Sequence, residues 1–273
     1  MKDVYVITGG TGGMGKAIAQ LVGPKGTVLL ADVNEERLQI TKDELIEKGI
    51  NDVHVQTVDI TDTENVKALA KKTKSLGTLK AIVNTAGLSP TMGSSKKMTE
   101  VNLVGTAIIL DEFLKIAGPD TVAVCISSMS GHMVPRQGAY VDVLKKPLDP
   151  NVVEAMEQFA QGNSGAAYSM SKLGVLMLVE DQAWEWGQRG ARIVSVSPGS
   201  INTPMGRQEA SQQAQMKMLL EQTPLQREGE SMEIAAVVAF LLSDDASYVT
   251  GTDIRVDGGT VANVAKMQAA NQS

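Results

Sequence analysis

Short apolar, β-branched runs alternate along the chain with longer segments that have the apolar spacing of helices. Runs this continuous are typical of strands buried on both faces of a parallel sheet. They predict seven strands, at Val4–Thr8, Thr27–Asp32, Val53–Val58, Ala81–Asn84, Thr121–Ile126, Arg192–Ser197 and Asp253–Asp257. The segments between them predict six helices, at Gly13–Val22, Glu35–Glu47, Glu64–Lys74, Met98–Ile116, Ala166–Arg189 and Glu230–Leu242. This order predicts an α/β fold with a doubly wound, seven-stranded parallel sheet, in a single domain over residues 1–273.

One segment, residues 135–164, does not fit this alternation. It separates the fifth strand from the helix that contains Tyr168. We expect a short helix over Asn151–Ala160 within it, with Asp149 as its cap. The segment is therefore predicted to be a helical insertion before the Tyr168 helix.

Residues 203–226 form a second long excursion. Excursions of this length in compact domains are usually lids, binding loops or interface elements. Met205, Met216 and Met218 lie in this one, and their flexible thioethers suit a lid over a rigid apolar ligand. Packing of the same methionines against the domain, as gap-fillers, fits the sequence equally well. We expect a substrate-binding lid, with Met205 as a substrate contact.

Composition excludes several classes of function. The chain is 43% hydrophobic, as in ordinary globular proteins, and its net charge of −6 without a basic stripe predicts no nucleic-acid partner. Cys125 is the one cysteine and is interpreted as a buried thiol, while His54 and His132 lack neighbouring ligands, so no metal site is predicted. The first strand begins almost at Met1 and no apolar run reaches about 18 residues, which predicts a cytoplasmic chain without a signal peptide or membrane span.

A glycine-rich loop follows the first strand and opens the first helix. Residues 8–15 are Thr-Gly-Gly-Thr-Gly-Gly-Met-Gly. Glycines allow the backbone to approach a pyrophosphate, whose charge the helix N-terminus stabilises. A plain glycine-rich turn would have the same sequence, so the loop alone leaves both interpretations open.

Asp32, at the end of the second strand, favours the dinucleotide interpretation. It stands about 20 residues after the loop, where a carboxylate accepts hydrogen bonds from the adenine-ribose hydroxyls. A 2′-phosphate would be repelled there, and positions 12, 33 and 34 carry no Arg or Lys to compensate. The sequence therefore predicts NAD, preferred over NADP. A solvated acid at a strand end is the alternative.

Two further strand ends are candidate cofactor contacts. After the third strand, Asp59 and Ile60 are placed to flank an adenine ring. After the fourth, Asn84–Gly87 offers small residues where a cofactor passes close to the backbone. A helix cap or a turn explains each of these equally well.

Tyr168 is the candidate acid/base. Lys172 lies four positions later, on the same face of a predicted helix, and among the four tyrosines only Tyr168 has this neighbour. A free phenol is a poor base near neutral pH, but a nearby cation stabilises the phenolate. An exposed Tyr–Lys pair without function is the alternative.

Six motifs occur together in one order: Thr8–Gly15, Asn84–Gly87, Asn102 within Val101–Gly105, Ile126–Ser128, Tyr168–Lys172 and Pro198–Thr203. In this combination the chain, from about Val4 to Gly259, resembles the classical short-chain dehydrogenase/reductase family. The resemblance implies a Rossmann fold and an NAD-dependent oxidoreductase that interconverts a secondary alcohol and a ketone. It also implies a small hydrophobic alcohol or ketone as substrate.

The resemblance assigns roles to individual residues. Tyr168 is the implied acid/base, and Lys172 stabilises its phenolate and binds the nicotinamide ribose. Ser128, rather than Ser127, is implied to bind the substrate oxygen, and Asn102 to hold a water in a proton relay. With the candidates above, the expected cofactor contacts are Gly9, Thr11, Gly12, Gly13, Met14, Gly15, Asp32, Val33, Asp59, Ile60, Asn84, Ala86, Gly87, Tyr168, Lys172, Pro198, Gly199, Ile201 and Thr203. The expected substrate contacts are Ser128, Tyr168 and Met205.

The chain departs from the family pattern in two places. Thr85 stands where many members have a second Asn, which changes a local hydrogen bond. Ser128 and Tyr168 are 40 positions apart, whereas most members separate them by about a dozen. This insertion resembles bacterial 3α-hydroxysteroid dehydrogenase/carbonyl reductases and implies a steroid or bile-acid substrate. Reductases of smaller carbonyls, polyols or acyl thioesters, and a non-enzymatic NAD-binding protein, stay open as alternatives.

The insertion also bears on assembly. Subunits in the family often pair through helices that correspond to Met98–Ile116 and Ala166–Arg189. An extra helix beside them would block that surface and leave pairing through Glu230–Leu242 and the last strand. We therefore expect a homodimer.

Overall fold

A seven-stranded parallel sheet forms the centre of the computed structural model, which describes residues 2–203 and 214–270. The strands run in the order β3-β2-β1-β4-β5-β6-β9. Their bounds are β1 Asp3–Thr8, β2 Thr27–Asp32, β3 Val53–Thr57, β4 Thr78–Asn84, β5 Val122–Ile126, β6 Arg192–Pro198 and β9 Thr252–Val256. Two short strands, β7 Ile201–Asn202 and β8 Gly229–Glu230, pair separately.

Helices cover both faces of the sheet. Their bounds are α1 Gly13–Val22, α2 Glu35–Glu47, α3 Thr63–Leu76, α4 Ser95–Thr99, α5 Thr106–Leu114, α6 Ala139–Leu144, α7 Val152–Ala160, α8 Ser164–Asp181, α9 Ala183–Gln188, α10 Ala214–Glu221, α11 Ser231–Leu241 and α12 Thr260–Ala270. A π-helical segment, Glu100–Gly105, joins α4 to α5.

Burial on both faces explains why the strands are so continuously apolar. In β1, Val4 and Val6 pack into one cluster, and Tyr5 and Ile7 pack into the other. The first cluster joins the sheet to α3, α5 and α8, and the second joins it to α1, α2 and α11. The five inner strands therefore contribute to two hydrophobic layers, as expected for a parallel sheet between helices, whereas the edge strands β3 and β9 contribute to one.

The strand order determines where a ligand binds. β1 lies between β2 and β4, so successive strands continue on opposite sides of β1. In open α/β sheets, ligands bind in the crevice that such a reversal leaves at the carboxyl ends of the strands. The loops after β1 and β4 meet there, since the Thr85 amide donates to the Thr8 carbonyl oxygen (3.1 Å).

The predicted single-domain α/β fold and its seven strands are confirmed, with shifted element ends. β4 begins at Thr78 rather than Ala81, and the predicted helix Met98–Ile116 is divided by the π-helical segment. The predicted helix Ala166–Arg189 breaks at Gln182 into α8 and α9.

Two segments differ from the sequence prediction in their helix content. The insertion contains two helices, α6 and α7, instead of one. Asp149 accepts a hydrogen bond from the amide of Asn151 (2.8 Å), and Asn151 is the residue directly before α7. The C-terminal helix α12 was not predicted at all.

The predicted lid, residues 203–226, is described only in part, because residues 204–213 lie outside the described chain; Met205 is among them. Over residues 2–203 and 214–270, no helix is both long and apolar enough to cross a membrane. The same described ranges contain no cluster of three His, Cys, Asp or Glu able to hold a metal ion.

Candidate active site

The glycine-rich loop has a shape that only glycine permits at two positions. Gly9 has φ +64°, and a Cβ added there would lie 2.6 Å from the Ala86 amide nitrogen. A Cβ on Gly15 would lie 2.5 Å from the Gly9 carbonyl oxygen. Gly12 precedes α1 in an extended conformation, so the loop runs directly into the helix N-terminus. This arrangement leaves the backbone bare where a pyrophosphate binds.

Asp32 is held against this loop. One carboxylate oxygen accepts hydrogen bonds from the Thr11 hydroxyl (2.6 Å) and amide (3.2 Å), and the other accepts from the Val33 amide (2.8 Å). Arg37, which sequence analysis did not single out, donates to the Thr11 carbonyl oxygen at 3.4 Å. The Arg37 guanidinium therefore contacts the same loop residue, Thr11, that Asp32 binds.

The strand-end residues after β3 and β4 are engaged within the fold. Asp59 accepts from the amide and hydroxyl of Thr61 (2.9 and 2.7 Å). Burial raises the pKa of Asp59, but the hydrogen bonds from Thr61 outweigh it and leave the pKa below its usual value. Ile60 is buried, and the buried amide of Asn84 accepts from Thr8 and donates to Thr106 (2.9 Å).

Tyr168 and Lys172 lie on α8, which begins where Asn163 accepts a hydrogen bond from the Ala166 amide (2.9 Å). The Lys172 Nζ is 5.8 Å from the centre of the Tyr168 ring. It donates to the Ile126 carbonyl oxygen (3.0 Å) at the end of β5. Burial lowers the pKa of Lys172 from 10.5 to about 8.

The two serines after β5 have different partners. Ser127 donates its hydroxyl to the Lys172 carbonyl oxygen (2.8 Å), so it is used to attach β5 to α8. The Ser128 hydroxyl accepts from the Ser130 amide (3.2 Å). Among the described residues its hydrogen has no acceptor, whereas the hydrogen of Ser127 is engaged; the choice of Ser128 over Ser127 stays a prediction.

Asn102 lies in the π-helical segment and is fully buried. Its amide accepts from the Leu88 amide (2.7 Å) and donates to the Leu88 carbonyl oxygen (3.0 Å). A Cβ on Gly87 would lie 3.1 Å from the Asn102 Oδ1 and 3.4 Å from the Lys172 Nζ. The side chain therefore holds the loop after β4 next to Lys172.

A cavity of about 450 Å³ brings nine of the predicted residues together. It is lined by Met14, Gly87, Ser128, Tyr168, Lys172, Pro198, Gly199, Ile201 and Thr203, among others. Its lining does not include the other predicted residues of the described chain: Gly9, Thr11, Gly12, Gly13, Gly15, Asp32, Val33, Asp59, Ile60, Asn84, Ala86 and Asn102. Met205 lies outside the described residues.

Several lining residues were not found from the sequence: Asn163, Ser169 and Glu228. They come from the insertion end, from α8 and from the segment after residue 213, so nothing in their spacing connects them. Only Asn163, a favourable N-cap residue shortly before Tyr168, gave a readable signal.

The residues present fit a nicotinamide dinucleotide. The bare backbone of the glycine-rich loop accepts its pyrophosphate, and the Ser200 hydroxyl, beside the cavity, is buried without a hydrogen-bond partner among the described residues. A buried hydroxyl of this kind calls for a polar ligand. The fold and the site together define a dinucleotide-dependent oxidoreductase.

Comparisons with known proteins give the family. The model described as short chain dehydrogenase matches residues 3–141, and the model described as Enoyl-(Acyl carrier protein) reductase matches residues 151–261. The chain is 37% identical over 279 residues to "Short-chain dehydrogenase/reductase bsc3" of Alternaria brassicicola, covering 97% of this chain and 98% of that one. It is 32% identical over 276 residues to levodione reductase of Leifsonia aquatica, covering 95% and 94%.

A solved structure agrees with these matches. The crystal structure of a levodione reductase superposes with a TM-score of 0.76 at 30% identity, covering 95% of this chain and 98% of that chain. The chain belongs to the short-chain dehydrogenase/reductase family. It is an oxidoreductase that acts on CH–OH groups with a nicotinamide cofactor.

Proposed function

We propose that this enzyme interconverts a secondary alcohol and a ketone with NAD, with Tyr168 as acid/base, and that its substrate is a 3α-hydroxysteroid. The observation that supports the chemistry is that Tyr168, Lys172 and Ser128 line one cavity with the Pro198–Thr203 segment. A substrate oxygen in this cavity meets both a hydroxyl donor and a phenol.

The chain's own residues handle the proton. When bound, the nicotinamide supplies or accepts the hydride. In the oxidative direction, Ser128 donates a hydrogen bond to the substrate oxygen, and the Tyr168 phenolate removes the hydroxyl proton. Lys172, as a cation, stabilises that phenolate in a site where burial strengthens electrostatic interactions. Asn102 holds the loop after β4 beside Lys172, and we propose that it also binds a water molecule of the proton relay to Lys172.

Tyr168→Phe tests the acid/base assignment. The variant should still bind NADH, measured by protein fluorescence quenching, and lose nearly all turnover, because the ring packing is kept and only the phenol hydroxyl is removed. Tyr248→Phe is the control, since that side chain is fully exposed. Substantial turnover by Tyr168→Phe rules out the proposed role.

Asp32 supports the preference for NAD. Its carboxylate is fixed by Thr11 and Val33 at the end of β2, where a 2′-phosphate would meet negative charge. We expect fluorescence titration to give tighter binding of NADH than of NADPH. Asp32→Ser should reduce or reverse the difference, because the repulsion is lost while Arg37 keeps its positive charge nearby. Equal affinities in the unmodified enzyme would contradict the preference.

The steroid assignment rests on the insertion and on apolar residues at the cavity. Leu88, Pro90, Met129 and Leu219 line it and offer apolar surface to a ring system. One relative is named levodione reductase and another 3-oxoacyl-[acyl-carrier-protein] reductase FabG, which favours a cyclic ketone or an acyl thioester as the second candidate. A panel of 3-ketosteroids, bile acids, levodione and an acetoacetyl thioester, assayed with NADH, NAD and NADPH, separates these classes. Steroid turnover below that of levodione would reject the steroid.

The homodimer stays part of the proposal. The insertion helix α7 packs against α4 and α8, and it covers part of the helical layer through which family members often pair. The edge strand β9 and α11 remain for pairing. The cytoplasmic location stays a prediction from the sequence.

A further inference from the structure

A polar cluster beside the active site involves no residue used so far. The Nε2 atom of His132 is 2.9 Å from a carboxylate oxygen of Asp253 on the edge strand β9 and 3.2 Å from the Ser197 hydroxyl. The other carboxylate oxygen of Asp253 accepts from the hydroxyls of Ser195 (2.6 Å) and Ser197 (2.9 Å) on β6. Both serines are fully buried, and the Asp253 side chain is 12% exposed.

The cluster differs from a nucleophilic triad. Asp253 and Ser197 both meet the same nitrogen of His132, and Ser197 donates to the carboxylate. A triad needs the carboxylate and the nucleophile on opposite ring nitrogens. A proton on Nε2, donated to Asp253, satisfies all these distances, so the contacts fasten the histidine in place.

His132 lies in the turn that begins at Ser128 and ends at Met133. Within this turn, which we call the serine turn (residues 128–133), the Gly131 amide donates to the Ser128 carbonyl oxygen (3.0 Å) and the Met133 amide to the Ser130 carbonyl oxygen (3.1 Å). On its other side the serine turn touches α8, because a Cβ on Gly131 would lie 2.9 Å from the Leu173 amide nitrogen. The serine turn is therefore held between the backbone of α8 on one side and the hydrogen bonds of His132 with Asp253 and Ser197 on the other.

We propose that His132 is a positioning residue for the reaction: by binding Asp253 it fixes the serine turn, and with it the Ser128 hydroxyl, relative to Tyr168 and to the segment Pro198–Thr203. Ser197 directly precedes Pro198, so the same cluster joins the serine turn to that segment. The proposal rests on the proposed function, since Ser128 must be the group that binds the substrate oxygen. Misplacement of such a group by about 1 Å can cost about 100-fold in rate.

His132→Asn and His132→Gln form a matched pair for the test. The glutamine amide is long enough to replace Nε2 and donate to Asp253, whereas the asparagine amide is too short. His54→Asn is the control, because His54, on the opposite edge strand β3, makes a similar contact with Asp52 (3.2 Å). Hydrogen exchange by NMR of the Ser130, Gly131 and Met133 amides follows the serine turn without any substrate.

We expect exchange at these amides at least about tenfold faster in His132→Asn, restored in His132→Gln, and unchanged in His54→Asn. With NADH and the probe ketones levodione and androstanedione, kcat should fall about 10- to 100-fold in His132→Asn. It should recover in His132→Gln, while the affinity for NADH stays within about twofold in both.

Unchanged exchange in His132→Asn overturns the inference. So does faster exchange with unaltered kcat in an enzyme that Ser128→Ala inactivates, and that result leaves the proposed function standing. Full activity of both Ser128→Ala and Tyr168→Phe rejects the proposed function instead, and the exchange measurement still decides whether His132 holds the turn. If His132→Asn fails to fold, faster exchange in Ser197→Ala, which removes one donor to Asp253, serves as the second readout.

Discussion

The neighbouring serines after β5 make opposite uses of the same side chain. The Ser127 hydroxyl donates to the backbone carbonyl of Lys172. The Ser128 hydroxyl accepts from an amide of its own turn, and its hydrogen has no acceptor among the described residues. Their adjacent alanine substitutions therefore separate structure from catalysis.

Ser128→Ala should lower kcat/KM by about 100- to 1,000-fold, because a donor to the developing charge on the substrate oxygen is lost. The free energy of unfolding of Ser128→Ala should change little. Ser127→Ala should lose about 1 kcal/mol of stability with the removed hydrogen bond and keep most of its activity. Steady-state kinetics and urea unfolding of both variants test this pair, and the reverse pattern would assign the substrate contact to Ser127.

Lys172 should make stability depend on pH. Burial lowers its pKa from 10.5 to about 8, so between these values the unfolded chain binds more protons than the folded one. The free energy of unfolding should therefore rise by about 1 kcal/mol from pH 8 to pH 9. Lys172→Met should abolish this rise, measured by urea unfolding without cofactor.

Cys125 contributes the opposite dependence at higher pH. Burial raises the pKa of its thiol from 9.0 to about 12, so stability falls once the unfolded thiol ionises above pH 9. Cys125→Ala should leave the rise between pH 8 and 9 nearly intact. A rise that persists in Lys172→Met would place its source elsewhere.

Part of the candidate site could be predicted because its residues carry their signal locally. Tyr168 and Lys172 are one helical turn apart, and the glycines and Asp32 stand at strand ends. Glu228 could not be predicted, because a separate loop brings it to the cavity. Arg37 was overlooked since its contact with Thr11 reaches back from the first turn of α2.

Elements were predicted where apolar pattern alone decides them. The five inner strands are apolar on both faces, and the edge strands β3 and β9 place apolar residues in one layer, and all seven were found. The π-helical segment was not, because the apolar pattern continues through it and a widened turn leaves no mark in composition. α6 has six residues and no side-chain cap, and α12 buries only Thr260 and Val261, so neither gives a strong signal.

The attachment of the insertion to α4 is a testable feature at this scale. The buried Ser95 donates to the Glu157 carboxylate of α7 (2.5 Å), and the exposed Lys96 pairs with Glu154 (2.7 Å). Ser95→Ala should destabilise the protein by about 1.5–3 kcal/mol, because a carboxylate loses its buried donor. Urea unfolding measures the change.

Lys96→Ala is the matched control, and we expect nearly no change from it because exposed ion pairs contribute little. A loss in Lys96→Ala as large as that in Ser95→Ala would contradict this, because the surface pair would then contribute as much as the buried contact.

The whole molecule should assemble through the face that the insertion leaves open. Phe240 on α11 is 48% exposed, and Phe159 on α7 is 39% exposed. Light scattering after size exclusion should give a dimer, and Phe240→Lys should give a monomer because a charge enters an apolar contact. Phe159→Lys should stay dimeric. A tetramer that persists on dilution would contradict this arrangement.

The strand order has a consequence for how the chain matures. The cavity needs the ends of β4, β5 and β6 together with α8, and β6 docks between partners from distant parts of the sequence. Contacts this remote form late and slowly. A chain whose later strands have not docked therefore has the glycine-rich loop but no complete pocket. Nicotinamide cofactor at about 100 times its dissociation constant would stabilise only the finished sheet, by about 2.7 kcal/mol. The rate at which NADH binding appears during refolding therefore reports the rate at which the last strands dock.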